Sequence, residues 1–421
     1  MKYFGTDGIR GVVGDKLNEQ LLKKVAKAIV AYYNQNKLNK VLLVGNDSRI
    51  SSDFCLSCLE SVLLKYGIYV ENVGVCSSPC LAFLTKKFNY PLGLMLSASH
   101  NSKEYNGLKF FNNNGEKVSD EFEENFEKLM EKKHNFKTDY AKHKSVEKLK
   151  LNYVSHLKNH VKNKQDFIYD CANGGTSKIC KLLFPKQEKI NCNPTGKNIN
   201  ENAGCTHIEF LRMQCLKKNK IGFAFDGDGD RISMVLATGE VVEGDKILYI
   251  LSSFLQNKGN SIVGTIYTNS GLEKILNKRG ISLIRAKVGD KNVYKKMLEN
   301  NSFLGGEDSG HIILKTHTNT GDGVLTSIII ANLLELSNKS LSEILKDYTE
   351  HFQARKNLKV TENFTLSNNI LNTIKSMENK GARIIIRPSG TEPVLRVFVE
   401  HKNKQIAENF LNELTNEISN I

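Results

Sequence analysis

Residues 226–231 read Asp-Gly-Asp-Gly-Asp-Arg, three carboxylates at alternate positions with only glycine between them. Adjacent anions repel, and the two glycines weaken helix and strand alike. A hard cation would give such a stretch order. Glycine lets the backbone turn tightly enough for the three side chains to converge, and oxygen ligands select magnesium or calcium. A calcium loop of the EF-hand type starting at Asp226 needs glycine at its sixth position and glutamate at its twelfth. Arg231 and Ala237 stand there, so that register fails.

Other stretches pair polar groups with a preceding apolar run. Ser97-Ala98-Ser99-His100-Asn101 follows Leu92–Leu96 and is either a candidate nucleophile loop or a polar turn ending a strand. No Gly-x-Ser-x-Gly elbow surrounds Ser99, which argues against ordinary serine-hydrolase chemistry. Gly305-Gly306-Glu307-Asp308-Ser309-Gly310-His311 is a second polar loop at a strand end. Arg387-Pro388-Ser389-Gly390-Thr391-Glu392-Pro393 offers a guanidinium fork, two hydroxyls and a glycine amide, a sound phosphate site. A Pro-Ser-Gly turn is also a common structural turn. Gly5–Gly11 with Arg10 could clamp an anion or simply turn the chain. Lys109 borders the apolar Phe110-Phe111 and reads as a snorkelling side chain.

These loops need elements to hold them, and the chain supplies short apolar runs alternating with helical patterns. That alternation marks parallel sheets with covering helices. The chain of 421 residues suggests two to four domains. We divide it into an α/β domain at 1–149 with the Ser99 loop, a second at 150–245 with the aspartate loop, a third at 246–359 with the Glu307 loop, and a smaller α+β domain at 360–421 with the Arg387 loop. The lysine-rich span Glu131–Lys150 reads as a solvated helix or linker. The net charge of +14 suits an anionic partner. No lysine/arginine block or aromatic–basic interleaving points to nucleic acid, so a small anionic substrate is favoured. No apolar run reaches a membrane span and Gly5 and Asp7 interrupt any signal core, so a cytoplasmic protein is expected. Cys55-x-x-Cys58 and Cys76-x-x-x-Cys80 loosely resemble a zinc ribbon. However, Cys55, Cys58, Leu59, Val62 and Leu63 follow helical spacing and read as one buried helix face.

A hydroxyl loop, a carboxylate clamp, a Glu/Ser/His loop and a phosphate clamp together suggest phosphoryl transfer on a small polyol, with catalysis mostly positioning and charge stabilisation. The chain has neither a Gly-x-x-x-x-Gly-Lys-Ser/Thr loop nor the kinase signature set. The donor need not be a nucleotide, and a phosphorylated serine is the natural substitute.

With Ser97–Asn101, Asp226–Arg231, Gly306–His311 and Arg387–Pro393 in this order, the sequence resembles the α-D-phosphohexomutase superfamily along its whole length. Tyr3–Gly11, Thr320-Gly321-Asp322-Gly323 and the Glu307–His311 pattern are similar to its bacterial phosphoglucosamine mutase branch. The resemblance implies three α/β domains and a smaller α+β domain around a central cleft. It implies interconversion of glucosamine 6-phosphate and glucosamine 1-phosphate through a 1,6-bisphosphate. Ser99 would be the phosphoserine, and Asp226, Asp228 and Asp230 with a Ser99 phosphate oxygen would hold one Mg²⁺. Arg10, His100, Lys109 and Arg231 match positions near the transferring phosphate. Glu307, Ser309 and His311 would read sugar hydroxyls, and Arg387, Ser389, Gly390 and Thr391 would grip the non-reacting phosphate. The expected partner is a hexosamine phosphate, and the expected state a monomer or homodimer. The sequence departs from the pattern at Ser102, where proline is usual, at Glu104-Tyr105, which is closer to the mannomutase branch, and at Asp308. Rival readings are a phosphomannomutase or phosphoglucomutase, a non-catalytic sugar-phosphate-binding paralogue, and a phosphatase.

Overall fold

A computed structural model describes residues 1–162, 166–253, 260–337, 339–359, 365–388 and 394–419. The chain divides into two compact units. One holds Met1–Thr268 and Leu276–Lys346; the other holds Asn269–Ile275 and Asp347–Ile421.

The first unit contains three mixed sheets. The first comprises β1 (Ile9–Val12), β2 (Val41–Asn46), β3 (Tyr69–Val75), β4 (Leu92–Leu96), β5 (Tyr105–Asn112) and β6 (His143–Ser145), in the order β1-β5-β4-β2-β3-β6. The second comprises β7 (Ile168–Asp170), β8 (Glu188–Ile190), β9 (Gly222–Phe225), β10 (Ile232–Val235) and β11 (Val241–Val242), in the order β11-β10-β9-β7-β8. The third comprises β12 (Ser261–Thr265), β13 (Ser282–Ala286), β14 (Leu304–Gly306) and β15 (Ile312–Leu314), in the order β13-β12-β14-β15.

One pattern recurs in all three sheets. The runs β3-β2-β4-β5, β8-β7-β9-β10 and β13-β12-β14-β15 share the same strand order. In each, the first three strands pair in parallel and the fourth returns antiparallel. The hairpin connection in each repeat is one of the polar loops read from the sequence.

Packing follows from the side chains. β4 is buried along its whole length, which explains its unbroken apolar run. The helix Glu19–Gln35 starts where Asn18 accepts from Leu21 N at 3.0 Å. It buries Leu22, Val25, Ala26, Ile29 and Val30 in the same core as Leu42, Val44 and Leu94. Cys55 and Cys58 lie buried on the helix Ser51–Leu63, as their spacing indicated. The span Glu131–Lys150 is not simply a linker. His143–Ser145 adds a parallel edge strand to β3, so an exposed, charged segment still contributes sheet hydrogen bonds.

The second unit is built on an antiparallel sheet of β16 (Phe352–Lys359), β17 (Arg383–Pro388) and β18 (Val394–His401), in the order β16-β18-β17. Strand β16 belongs to this sheet although the sequence division placed it in the preceding domain. Its sequence carries no turn signal at residue 351 to mark the change. Within this unit Arg383 pairs with Glu400 at 3.0 Å, and Ser270 N donates to the same carboxylate at 3.2 Å.

Candidate active site

The aspartate loop connects β9 to β10 and lies deep in the first unit. Asp226, Asp228 and Asp230 are fully or almost fully buried. Their ligand oxygens lie within 4.8 Å of one another, the one such cluster among the described residues. Neighbouring loops enclose it on several sides. Ser78 N donates to Asp228 O at 2.8 Å, Gly175 N to Gly227 O at 2.8 Å, and Gly323 N to Gly229 O at 3.0 Å. Arg231 and His311 form a backbone bridge, so the loops of the second and third sheets run side by side. That approach needs glycine at 310. Its φ is +90°, and a Cβ there would sit 2.2 Å from Ile232 O.

The Ser99 loop, between β4 and β5, reaches the same cluster. Ser99 is buried in a left-handed conformation at φ +53°, and its Oγ donates to Asp226 Oδ2 at 2.5 Å. Ser99 N donates to Ser97 Oγ at 2.9 Å, and Ser97 Oγ donates to Asp47 Oδ2 at 2.6 Å.

Lys109 does not snorkel. Its ammonium is fully buried, 2.6 Å from Asp228, 3.1 Å from Asp230 and 2.8 Å from Asp7. Burial opposes its charge, but Asp228, Asp230 and Asp7 outweigh it and hold the lysine well above its usual range. Lys117 adds a second, largely enclosed cation, 2.6 Å from both Asp7 and Asp290. Asp7, Lys117 and Asp290 were not singled out from the sequence. Asp7 lies in the Gly5–Gly11 loop, but only Arg10 was read there, and Arg10 is itself ion-paired to Asp7. Asp47 and Arg49 were also missed, although Asn46-Asp47-Ser48-Arg49 ends strand β2 just as the other polar loops end theirs.

Local charge sets the titration of the site. Burial, then the charges of Asp230 and Asp228, push Asp226 up to about 7. Burial with Arg231 and Arg10 lowers His100 to about 4, leaving a neutral imidazole near neutral pH. His311 goes the other way. Burial disfavours its charge, but Asp230 and Asp290 outweigh it and raise His311 to about 10. Its Nε2 lies 2.9 Å from Asp230 and its Nδ1 3.3 Å from Glu307. Glu307 is also held by Gly289 N at 2.8 Å, whereas Ser309 on the same loop is exposed.

The acidic cluster fits a hard divalent cation. Three buried carboxylates converge, and Asp228 Oδ1 is buried with no hydrogen-bond partner. An all-oxygen set of this size suits Mg²⁺, which keeps several waters or phosphate oxygens in its shell. In the second unit, Arg387 lies half-buried at the end of β17. Ser389, Gly390 and Thr391 lie outside the described residues.

Three repeated α/β sheets whose hairpin loops bring a serine, an aspartate cluster and buried cations together define an enzyme of phosphoryl transfer. Family models give the particular class. The phosphoglucomutase/phosphomannomutase alpha/beta/alpha domain I matches residues 1–137, domain III matches 243–352, and the C-terminal domain matches 343–417. The chain belongs to this family, the phosphohexomutase superfamily, and is an isomerase. It is 39% identical to a phosphoglucosamine mutase of Thermotoga neapolitana, covering 99% of this chain and 98% of that one. It is 38% identical to a phosphoglucosamine mutase of Staphylococcus epidermidis, covering 97% and 96%. Among solved structures, a phosphoglucomutase/phosphomannomutase family protein of Burkholderia thailandensis matches with TM-score 0.81 at 20% identity over 98% of this chain and 96% of that one. An Aspergillus fumigatus N-acetylphosphoglucosamine mutase, solved with GlcNAc-6P and magnesium, matches with TM-score 0.67 at 16% identity over 98% and 95%. Among the described residues no helix is long and apolar enough to cross a membrane.

Proposed function

We propose that the chain interconverts glucosamine 6-phosphate and glucosamine 1-phosphate by passing phosphoryl groups through Ser99. One observation carries this reading: Ser99 Oγ lies 2.5 Å from a carboxylate of the buried aspartate cluster. A phosphoryl group on that oxygen would bring about two negative charges into the site. Lys109, Lys117, Arg10 and Arg231 would be the cations that offset them.

In the forward direction the Ser99 Oγ–P bond breaks as the C1 hydroxyl oxygen of glucosamine 6-phosphate bonds to phosphorus. The hydroxyl proton leaves to a base, and the product is the 1,6-bisphosphate. After the sugar turns over, Ser99 Oγ takes the 6-phosphoryl group, and the C6 oxygen regains a proton. Asp226, Asp228 and Asp230, with an oxygen of the Ser99 phosphate, would hold one Mg²⁺ per chain. The ion supplies charge neutralisation at the transferring phosphoryl group. Near pH 7 His100 is held neutral and His311 charged, so His311 offers N–H donors to substrate oxygens. Glu307, Ser309 and His311 are the candidates for reading sugar hydroxyls. Arg387, with the residues after it, has the chemistry to grip the non-reacting phosphate. The sequence similarity to phosphoglucosamine mutases supports glucosamine as the sugar.

The test is a coupled assay of kcat/KM on glucosamine, mannose and glucose 6-phosphates, with Ser99→Ala as the blank. Glucosamine 6-phosphate should be preferred, and the folded variant should show no turnover. A preference for mannose 6-phosphate would overturn the sugar, and a fully active Ser99→Ala would overturn the route.

A further inference from the structure

The polypeptide that presents Ser99 has no sheet ladder to fix it, and no proline lies between Ser97 and Tyr105. Buried carbonyls in such a loop need donors from elsewhere. Most of those donors come from one side chain. Arg49 is fully buried and is oriented by Asp47, which accepts from its Nε at 2.9 Å and its backbone N at 3.0 Å. One terminal nitrogen, Nη2, donates to Ser99 O at 2.9 Å and to Asn101 O at 2.7 Å. The other, Nη1, donates to Tyr105 O at 2.9 Å and to Ser102 O. The loop is thus wrapped around a guanidinium, with its carbonyls pointing inward.

A second donor reaches the loop from the second sheet's side. Asn200 Nδ2 donates to Ser99 O at 2.8 Å and to Asn101 O at 3.0 Å, the same two carbonyls that Arg49 Nη2 holds. Gly227 of the aspartate loop closes over the pair: a Cβ there would lie 2.6 Å from Ser99 O and 2.9 Å from Asn200 Nδ2. Asp47 further ties the loop through Ser97, whose Oγ accepts from Ser99 N.

We propose that Arg49 and Asn200 are positioning residues that hold the Ser99 loop in its left-handed turn and aim Ser99 Oγ at the aspartate cluster. Neither touches the reacting atoms; each acts through the carbonyls of Ser99 and Asn101. The proposal rests on the reading that Ser99 carries the phosphoryl group. A fork is required: lysine offers one compact charge and cannot bridge four carbonyls in fixed directions. A small misplacement of the reacting oxygen is costly, because near-attack geometry is lost.

The test uses Arg49→Lys, Asn200→Ala and the double variant, each checked for native thermal unfolding. Steady-state kinetics are read on glucosamine 6-phosphate at saturating Mg²⁺. Arg49→Lys should lower kcat by about 10²-fold with KM changed little, since the loss is one of reactive geometry. Asn200→Ala should lower kcat by about tenfold, again with KM changed little. The double variant should lose less than the product of the two, because both side chains grip the same carbonyls. A merely structural role would lower the melting temperature while leaving kcat per folded molecule unchanged. If Arg49→Lys does not fold, Asn200→Ala decides. Folded Asn200→Ala with wild-type kcat overturns the proposal, as do losses confined to KM. Ser99→Ala is the control: if that variant is inactive while the clamp variants are normal, only the clamp fails, and if it is active the phosphoserine reading fails.

Discussion

Lys109 shows how a single residue can be misread when its partners are distant in sequence. Beside Phe110-Phe111 it looks like a cation reaching for water. In the fold it is sealed among Asp7, Asp228 and Asp230, each over a hundred residues away in the chain. Removing one member of such a buried network leaves uncompensated charge at a cost of about 3–5 kcal/mol. Lys109→Met should therefore unfold at a clearly lower temperature in chelator. Added Mg²⁺ should recover part of the loss, since a cation held by the same aspartates offsets their repulsion. Thermal melts with and without Mg²⁺ check this; an unchanged melting temperature in chelator would contradict the network. The aspartates themselves were legible, because alternating carboxylates and glycines have few uses other than a cation. Asp7, Lys117 and Asp290 were not, because each is an ordinary charged residue until the fold joins them.

At the scale of elements, the same strand order is used three times, and each repeat places its polar loop in the hairpin after its third strand. Strand ends were readable from short apolar runs, so three of the loops were found from the sequence. Strand pairing was not readable, and without it the recurrence stayed hidden. So did β6, whose exposed His143–Ser145 has no apolar pattern. The adjacency of the aspartate and Glu307 loops depends on Gly310, where Ile232 N donates to Gly310 O at 3.0 Å. Gly310→Ala would combine a left-handed φ with a backbone clash, at a cost of about 2 kcal/mol or more. It should lower both the melting temperature and kcat/KM. Wild-type values for both would show that the two loops do not depend on that close approach.

Over the whole molecule, the division of labour follows charge. The chain is basic overall, with a formal net charge of +14, yet its deepest polar cluster is acidic. Buried Lys109 and the partly buried Lys117, Arg10 and Arg231 lie around that cluster, and a phosphorylated Ser99 would add anionic charge at its edge. This balance suits an enzyme that must bind an anionic sugar and still move a phosphoryl group on and off it. The sequence carried the loop chemistry and the alternating α/β pattern. It could not carry the placement of Arg49 and Asn200, since what they hold in the Ser99 loop are backbone carbonyls that have no sequence signature.

The most direct measurement follows the phosphorus atom. Enzyme carrying ³²P on Ser99 is mixed with excess unlabelled glucosamine 6-phosphate and quenched through the first turnovers, and label is counted on the Ser99 peptide and on the sugar. Passage through Ser99 requires label to leave the peptide and appear on sugar phosphate at the rate of turnover. Product forming at full rate while the label stays on Ser99 would contradict it.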